Sequence, residues 1–171
     1  MAKLSSVRSG AIVLDARANM ATLVADMLRM LGWRDIREVT EAGQALLLLQ
    51  RAEFELIIVD DALGGVDAVE MVRRLRADTT SPNRLTTVIM MSAAPDLKRI
   101  AAARDAGVTE FLRKPFAARD LKARLDALST SPRPFVEAAA YAGPDRRRRN
   151  QEVGAADRRS SGETQIQPDR H

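Results

Sequence analysis

Four short apolar runs in this chain lead into residues whose chemistries fit together. Ala11-Ile12-Val13-Leu14 runs into Asp15, and Leu56-Ile57-Ile58-Val59 into Asp60 and Asp61. Val88-Ile89-Met90-Met91 runs into Ser92, and Phe111-Leu112 is followed closely by Lys114. Carboxylates converging on one point repel each other unless a cation neutralises them. An oxygen-only site with open positions suits Mg2+, which keeps several waters and favours phosphate-containing ligands. Lys114 supplies a compact positive charge for a carboxylate or phosphoryl oxygen, and Ser92 a hydroxyl that can donate to the same atom. A carboxylate is itself a nucleophile toward phosphorus, so the set points to phosphoryl transfer onto Asp60. Each member alone has a plainer reading: Lys114 as a surface lysine, Ser92 as a helix cap, Phe111 as core, Asp60 and Asp61 as caps or solvated acids. The functional reading rests on the set.

Such a set requires a frame that brings the ends of these runs to one edge. The runs are too short for helices and read as strands buried on both faces of a parallel sheet. Between them, apolar residues recur at helical spacing: Leu23, Val24, Met27, Leu28 and Leu31 before Gly32; Val69, Val72 and Leu75; Leu97, Ile100 and Ala101 before Gly107; Leu121, Leu125 and Leu128. Ile36 to Val39 adds a short strand, and Ala45 to Leu49 lies in a helix ending near Arg51. Ser81-Pro82 breaks the chain before the fourth run. The alternation predicts an α/β fold, a five-stranded parallel sheet doubly wound with helices on both faces. Right-handed crossovers then place every strand's carboxyl end on one edge, with Asp15, Asp60, Ser92 and Lys114 upon it.

Composition narrows the chemistry. The 171 residues contain no cysteine and one histidine, the terminal His171, which excludes disulfides, thiolate metal sites and histidine-based acid/base catalysis. No apolar run approaches the ~18 residues of a membrane span. The start, Met1-Ala2-Lys3-Leu4-Ser5-Ser6, lacks the apolar core of a secretory signal. A soluble, cytoplasmic protein with no membrane insertion is expected. The turn Asp15-Ala16-Arg17-Ala18-Asn19 has no glycine, which disfavours a dinucleotide or P-loop site.

Over residues 8–128 the chain resembles the receiver domain of bacterial response regulators, the CheY-like family with a flavodoxin-like (βα)5 fold. The resemblance implies that Asp60 is the phosphoacceptor, that Ser92 followed by Ala93 is the switch hydroxyl with its small neighbour, and that Lys114-Pro115-Phe116 supplies the phosphoryl-contacting lysine before a cis bond. Phe111 takes the place of the aromatic that moves with the switch. It also implies Mg2+ held by Asp15 and Asp60, and a histidine kinase or phosphotransfer protein as donor. Three departures stand out. The family ends its first strand with two acids, and here the second is Ala16, in the place of a direct metal ligand, so Mg2+ binding should be weakened. Ala62 and Ala94 occupy the positions that tune phosphoryl loss, and Gly64 replaces the loop proline. Arg17, next to Ala16, could partly substitute for the missing cation, but reads more simply as a surface arginine. An aspartate-nucleophile phosphatase would need a second acid where Ala62 stands, so an enzyme is disfavoured.

After Leu128 the composition changes. Residues 1–128 read as the receiver domain and 129–171 as an arginine-rich tail, begun by a Ser/Thr/Pro linker and expected to be disordered when free. Phe135 to Tyr141 is short and apolar enough for a helical turn or two. The tail holds eight arginines, no lysine and six acids, with the charge clustered at Arg146, Arg147, Arg148, Arg149 and at Arg158, Arg159. Guanidinium forks match phosphate and the guanine edge, although a cluster of this size is by itself most simply a solvated charge run. Gly143-Pro144-Asp145 with these arginines resembles the extension of alphaproteobacterial CheY-like proteins that bind cyclic di-GMP. Two functions are thus expected: a stand-alone receiver signalling through protein contacts such as a flagellar motor component in chemotaxis or motility, or an effector binding a nucleotide second messenger through its tail. The tail is too short for a winged helix, so DNA binding is not expected.

Overall fold

A computed structural model describes residues 10–146 and, as backbone, residues 164–166. The strands are β1 (Ala11–Leu14), β2 (Ile36–Val39), β3 (Leu56–Asp60), β4 (Thr87–Ser92) and β5 (Glu110–Arg113). The helices are α1 (Ala18–Met30), α2 (Ala42–Arg51), α3 (Ala68–Ala77), α4 (Leu97–Asp105) and α5 (Ala118–Thr130). All five strands are parallel, in the order β2-β1-β3-β4-β5, so the winding direction reverses between β1 and β3. Open sheets of this kind place their ligand crevice beyond the carboxyl ends of the strands at such a reversal. Asp15 follows β1 and Asp60 ends β3, side by side at that point.

The expected fold class is what the chain adopts, and alternation along the strands explains why both faces are filled. Ile12, Leu14, Ile57, Val59, Val88 and Met90 pack with Leu49, Val69 and Val72 on one face. Ala11, Val13, Leu56, Ile58, Ile89 and Met91 pack with Val24, Leu28, Leu121 and Leu125 on the other. Side chains two residues apart share a face, so a run with no polar position must be covered on both sides. Three helix starts are fixed by carboxylates. Asp67 accepts from Val69 N and Glu70 N, Asp96 from Arg99 N, and Asp120 from Ala117 N. Each satisfies donors that the first helical turn leaves without a partner.

The structure differs from expectation after α5. That helix runs to Thr130, two residues past the expected boundary. The Phe135–Tyr141 stretch is not helical: β6 (Phe135–Ala138) and β7 (Tyr141–Pro144) form an antiparallel hairpin about Ala139 and Ala140. The backbone of β8 (Thr164–Ile166) pairs with the other edge of β6. The apolar signal was real, but its burial comes from a surface distant in sequence. Phe135 and Val136 are buried, and Phe135 lies 5.6 Å from the Arg76 guanidinium and 5.8 Å from that of Arg84. Arg76 is 1% exposed, and donates through Nε and Nη2 to Gly107 O at 3.1 and 3.0 Å and through Nη1 to Arg84 O. Burial lowers its pKa to about 10. Gly107 and Gly143 meet so closely that a Cβ on Gly143 would stand 2.7 Å from Gly107 Cα. The hairpin therefore rests at α3 and the α4–β5 turn, on the amino-terminal edge of the sheet, away from Asp60. The other tail residues, 147–163 and 167–171, lie outside the described residues.

Candidate functional site

At the carboxyl edge, Lys114 Nζ stands 2.7 Å from Asp15 Oδ2 and 2.6 Å from Asp60 Oδ1. All three residues are buried, at 8%, 0% and 4% exposure. One ammonium therefore bridges two carboxylates that would otherwise face each other in a low-dielectric pocket, an arrangement tolerable only because the charges are paired. The backbone sets it up. Lys114 N donates to Ser92 O at 2.8 Å, which ties the end of β5 to the end of β4, and the following Lys114–Pro115 bond is cis as expected.

The outer carboxylate oxygens are also engaged. Asp15 Oδ1 accepts from Arg17 N at 2.9 Å, and Asp60 Oδ2 from Ala62 N at 3.3 Å. The loop after β3 can fold back this way because Gly64 and Gly65 sit at φ +54° and +80°, a region costly for any residue with a side chain, and because Ala62 bridges to Asp67. Arg17 is a surface arginine, as expected, but it lies against Asp15. Although 58% exposed, its Nε lies 3.5 Å from Asp15 Oδ1. It also lines, with Lys114, Ala93 and Phe116, a cavity of about 450 Å³ beside the lysine.

Ser92 is buried at the end of β4 and donates from Oγ to Asp61 Oδ2 at 3.3 Å. Asp61, for which a cap or a solvated acid is the plainer reading from sequence, is thus part of the constellation. It also accepts from Arg99 Nε at 2.7 Å, and Arg99 Nη2 reaches Asp67 Oδ1 at 3.0 Å. This ion-pair chain ties the first turn of α4 to the loop after β3. Hydrogen bonding to Arg99 holds the Asp67 carboxyl below its ordinary value, and hydrogen bonding to Asp61 raises the pKa of Arg99. Sequence reasoning missed Arg99, because a lone arginine after a helix cap carries no periodic or motif signal.

Phe111 is half-buried on β5, opposite Met90 of β4 and packed on the α3/α4 side of the core. It lines a cavity of about 220 Å³ with Ile100, Val108 and Arg133 among others. Of the tail set, Arg146 pairs with Asp105 at 2.8 Å, and its guanidinium lies 4.1 Å from the Tyr141 ring centroid. Arg147, Arg148, Arg149, Arg158 and Arg159 lie outside the described residues. No helix among the described residues is long and apolar enough to cross a membrane.

The donor set is a poor match for the Mg2+ that receivers typically hold. Two carboxylates converge with Ala16 exposed beside them, and every oxygen of the pair already faces a donor. Among the described residues no group of three or more acid, histidine or cysteine ligands exists.

Comparison with known proteins agrees with this geometry. The family model of the response regulator receiver domain matches residues 11–126. The chain is 28% identical over 117 residues to chemotaxis protein CheY-3 of Vibrio cholerae, covering 68% of this chain and 88% of that protein. It is 26% identical to chemotaxis protein CheY of Pseudomonas aeruginosa, covering 68% and 93%. Among solved structures, the signal receiver domain of an HD domain-containing protein from Pseudomonas fluorescens Pf-5 superposes with a TM-score of 0.63 at 28% identity, covering 72% of this chain and 96% of that one. A carboxylate pair bridged by a lysine at the β1/β3 reversal, with a buried serine at the next strand end, is thus held in a frame common to these proteins: this chain belongs to the response regulator receiver family.

Proposed function

We propose that this protein is a response regulator in which Asp60 accepts a phosphoryl group from a histidine kinase or phosphotransfer protein, and which then signals through protein contacts in chemotaxis or motility. The observation that carries the reading is the bridge from Lys114 to Asp15 and Asp60. It holds the Asp60 carboxylate at the open edge of the sheet with an adjacent cation ready to meet incoming phosphoryl oxygens. The Asp60 oxygen attacks phosphorus, the bond from phosphorus to the donor breaks, and the donor leaves with the electron pair. Ser92 lies one hydrogen bond from the same loop, and Phe111 follows on the neighbouring strand, so a hydroxyl shift at Ser92 has a path into the α4–β5 surface. The chemotaxis assignment rests on the similarity to the two chemotaxis proteins.

The test is a small phosphodonor added to the labelled full-length chain, with amide resonances of Ser92 and Phe111 followed. Shifts in the native chain that vanish in Asp60→Asn support the proposal; identical shifts in the variant overturn it. The second reading, cyclic di-GMP binding by the tail, rests on Arg146, Arg147, Arg148, Arg149, Arg158 and Arg159, of which Arg146 pairs with Asp105. Calorimetry with cyclic di-GMP on the full chain against a chain lacking these arginines decides it: heat lost with the arginines supports it, and equal heat or none in both removes it.

A further inference from the structure

The charge balance at the acceptor departs from that of the family. The resemblance implies three carboxylates against one lysine, an excess negative charge that a divalent ion neutralises. Here Ala16 removes one carboxylate, while Arg17 adds a cation 3.5 Å from Asp15 Oδ1. Two carboxylates thus face two cations, Lys114 and Arg17, and the pocket is near neutrality without a metal. A divalent cation entering it would displace existing donors and meet two positive side chains, whereas an incoming phosphoryl dianion would meet the same two cations favourably.

We propose that Arg17 takes over the charge-neutralising part of the metal's role, and that phosphoryl transfer to Asp60 in this protein proceeds without a divalent-ion requirement. This rests on Asp60 being the acceptor. With acetyl phosphate as donor, a carboxylate oxygen of Asp60 forms the new bond to phosphorus, the bond from phosphorus to the acetyl oxygen breaks, and acetate departs with the electron pair. Lys114 meets phosphoryl oxygens from within the pocket, where it already touches Asp60, and Arg17 meets them from the exposed rim beside Asp15. Because Arg17 is 58% exposed, its contribution is screened by salt, whereas that of buried Lys114 is screened far less.

The experiment measures acetyl phosphate labelling of the full-length chain by intact mass, in chelator and in millimolar Mg2+, with calorimetric Mg2+ titration of the unlabelled protein. The native chain should label at rates within about twofold in both media, and Arg17→Met should slow labelling about tenfold in chelator, with Arg17→Lys restoring most of it. Added salt should slow the native chain more than Arg17→Met. Ala16→Asp, at an exposed position, should bind Mg2+ with measurable heat and become Mg2+-dependent, while the native chain shows no heat. Labelling of the native chain only with Mg2+, strong Mg2+ heat from it, or native-like labelling of Arg17→Met would overturn the inference and leave Asp60 as acceptor. No labelling of any variant in either medium would defeat the acceptor reading itself.

Discussion

Ser92 donates its hydroxyl to Asp61 at 3.3 Å, and Asp61 in turn is held by Arg99 of α4. The hydroxyl that would answer a phosphoryl group on Asp60 therefore begins on the neighbouring carboxylate, in the ion-pair chain that ties α4 to the loop after β3. Drawing Ser92 toward Asp60 takes a donor from Asp61 and alters the setting of Arg99, so Asp60 and the first turn of α4 are linked through Ser92 and Asp61.

That chain has a pH signature. Asp67 is held below its ordinary value of 3.8 first by the hydrogen bond from Arg99. A depressed carboxyl contributes stability that is present above its unfolded value and is lost as pH falls through the folded value. Arg99→Met should move the Asp67 carboxyl up toward 3.8 in a carbon-detected NMR titration. An unchanged midpoint would mean that the backbone donors Val69 N and Glu70 N set it instead.

Ser92→Ala separates acceptance from response. The labelled fraction at Asp60 should stay close to native, while the phosphorylation-dependent shifts at Phe111 and in the first turn of α4 should shrink severalfold. Native-size shifts at Phe111 would remove Ser92 from the coupling.

Lys114→Met leaves Asp15 and Asp60 buried and facing each other, with a cost of about 3 kcal/mol in denaturant unfolding at neutral pH. Adding Asp15→Asn should recover a substantial part, since the repulsion needs both carboxylates. Additive losses in the double variant would show that the bridge does not couple them. The magnitude follows from burial: at 8%, 0% and 4% exposure, solvent does little of the screening.

The hairpin depends on Arg76. Arg76→Ala deprives Gly107 O and Arg84 O of their donors and strips one side of Phe135, so stability should fall by about 3 kcal/mol. Amide exchange should accelerate across residues 135–144 before it does in β3 or β4. Uniform acceleration would mean that the hairpin unfolds only with the whole domain.

Much of the frame was legible because its signals are local. Runs such as Leu56 to Val59 have no polar position to expose, and Gly32 and Gly107 close their helices at φ +92° and +97°. Asp15, Asp60 and Lys114 could be grouped because parallel topology brings strand ends together whatever their separation in sequence. What escaped was contact between elements with no period in common. Arg99 meets Asp61 across 38 residues, and Arg76 meets Gly107 across 31 before Phe135 packs over it. The Phe135 stretch looked weakly helical because neither its β6–β7 pairing nor the surface it covers is encoded within those few residues. From sequence alone Arg17 could be a substitute cation or a plain surface arginine; its 3.5 Å approach to Asp15 required the turn after β1 to be seen.

The central claim is that Asp60 accepts the phosphoryl group. Its most direct measurement is acetyl phosphate labelling of the full-length chain, followed by borohydride reduction of the acyl phosphate and peptide mass mapping. One modified residue at Asp60, absent in Asp60→Asn and unaffected in Asp61→Asn, is the predicted result. Modification mapping to Asp61 or Asp15, or persisting in Asp60→Asn, would contradict the account.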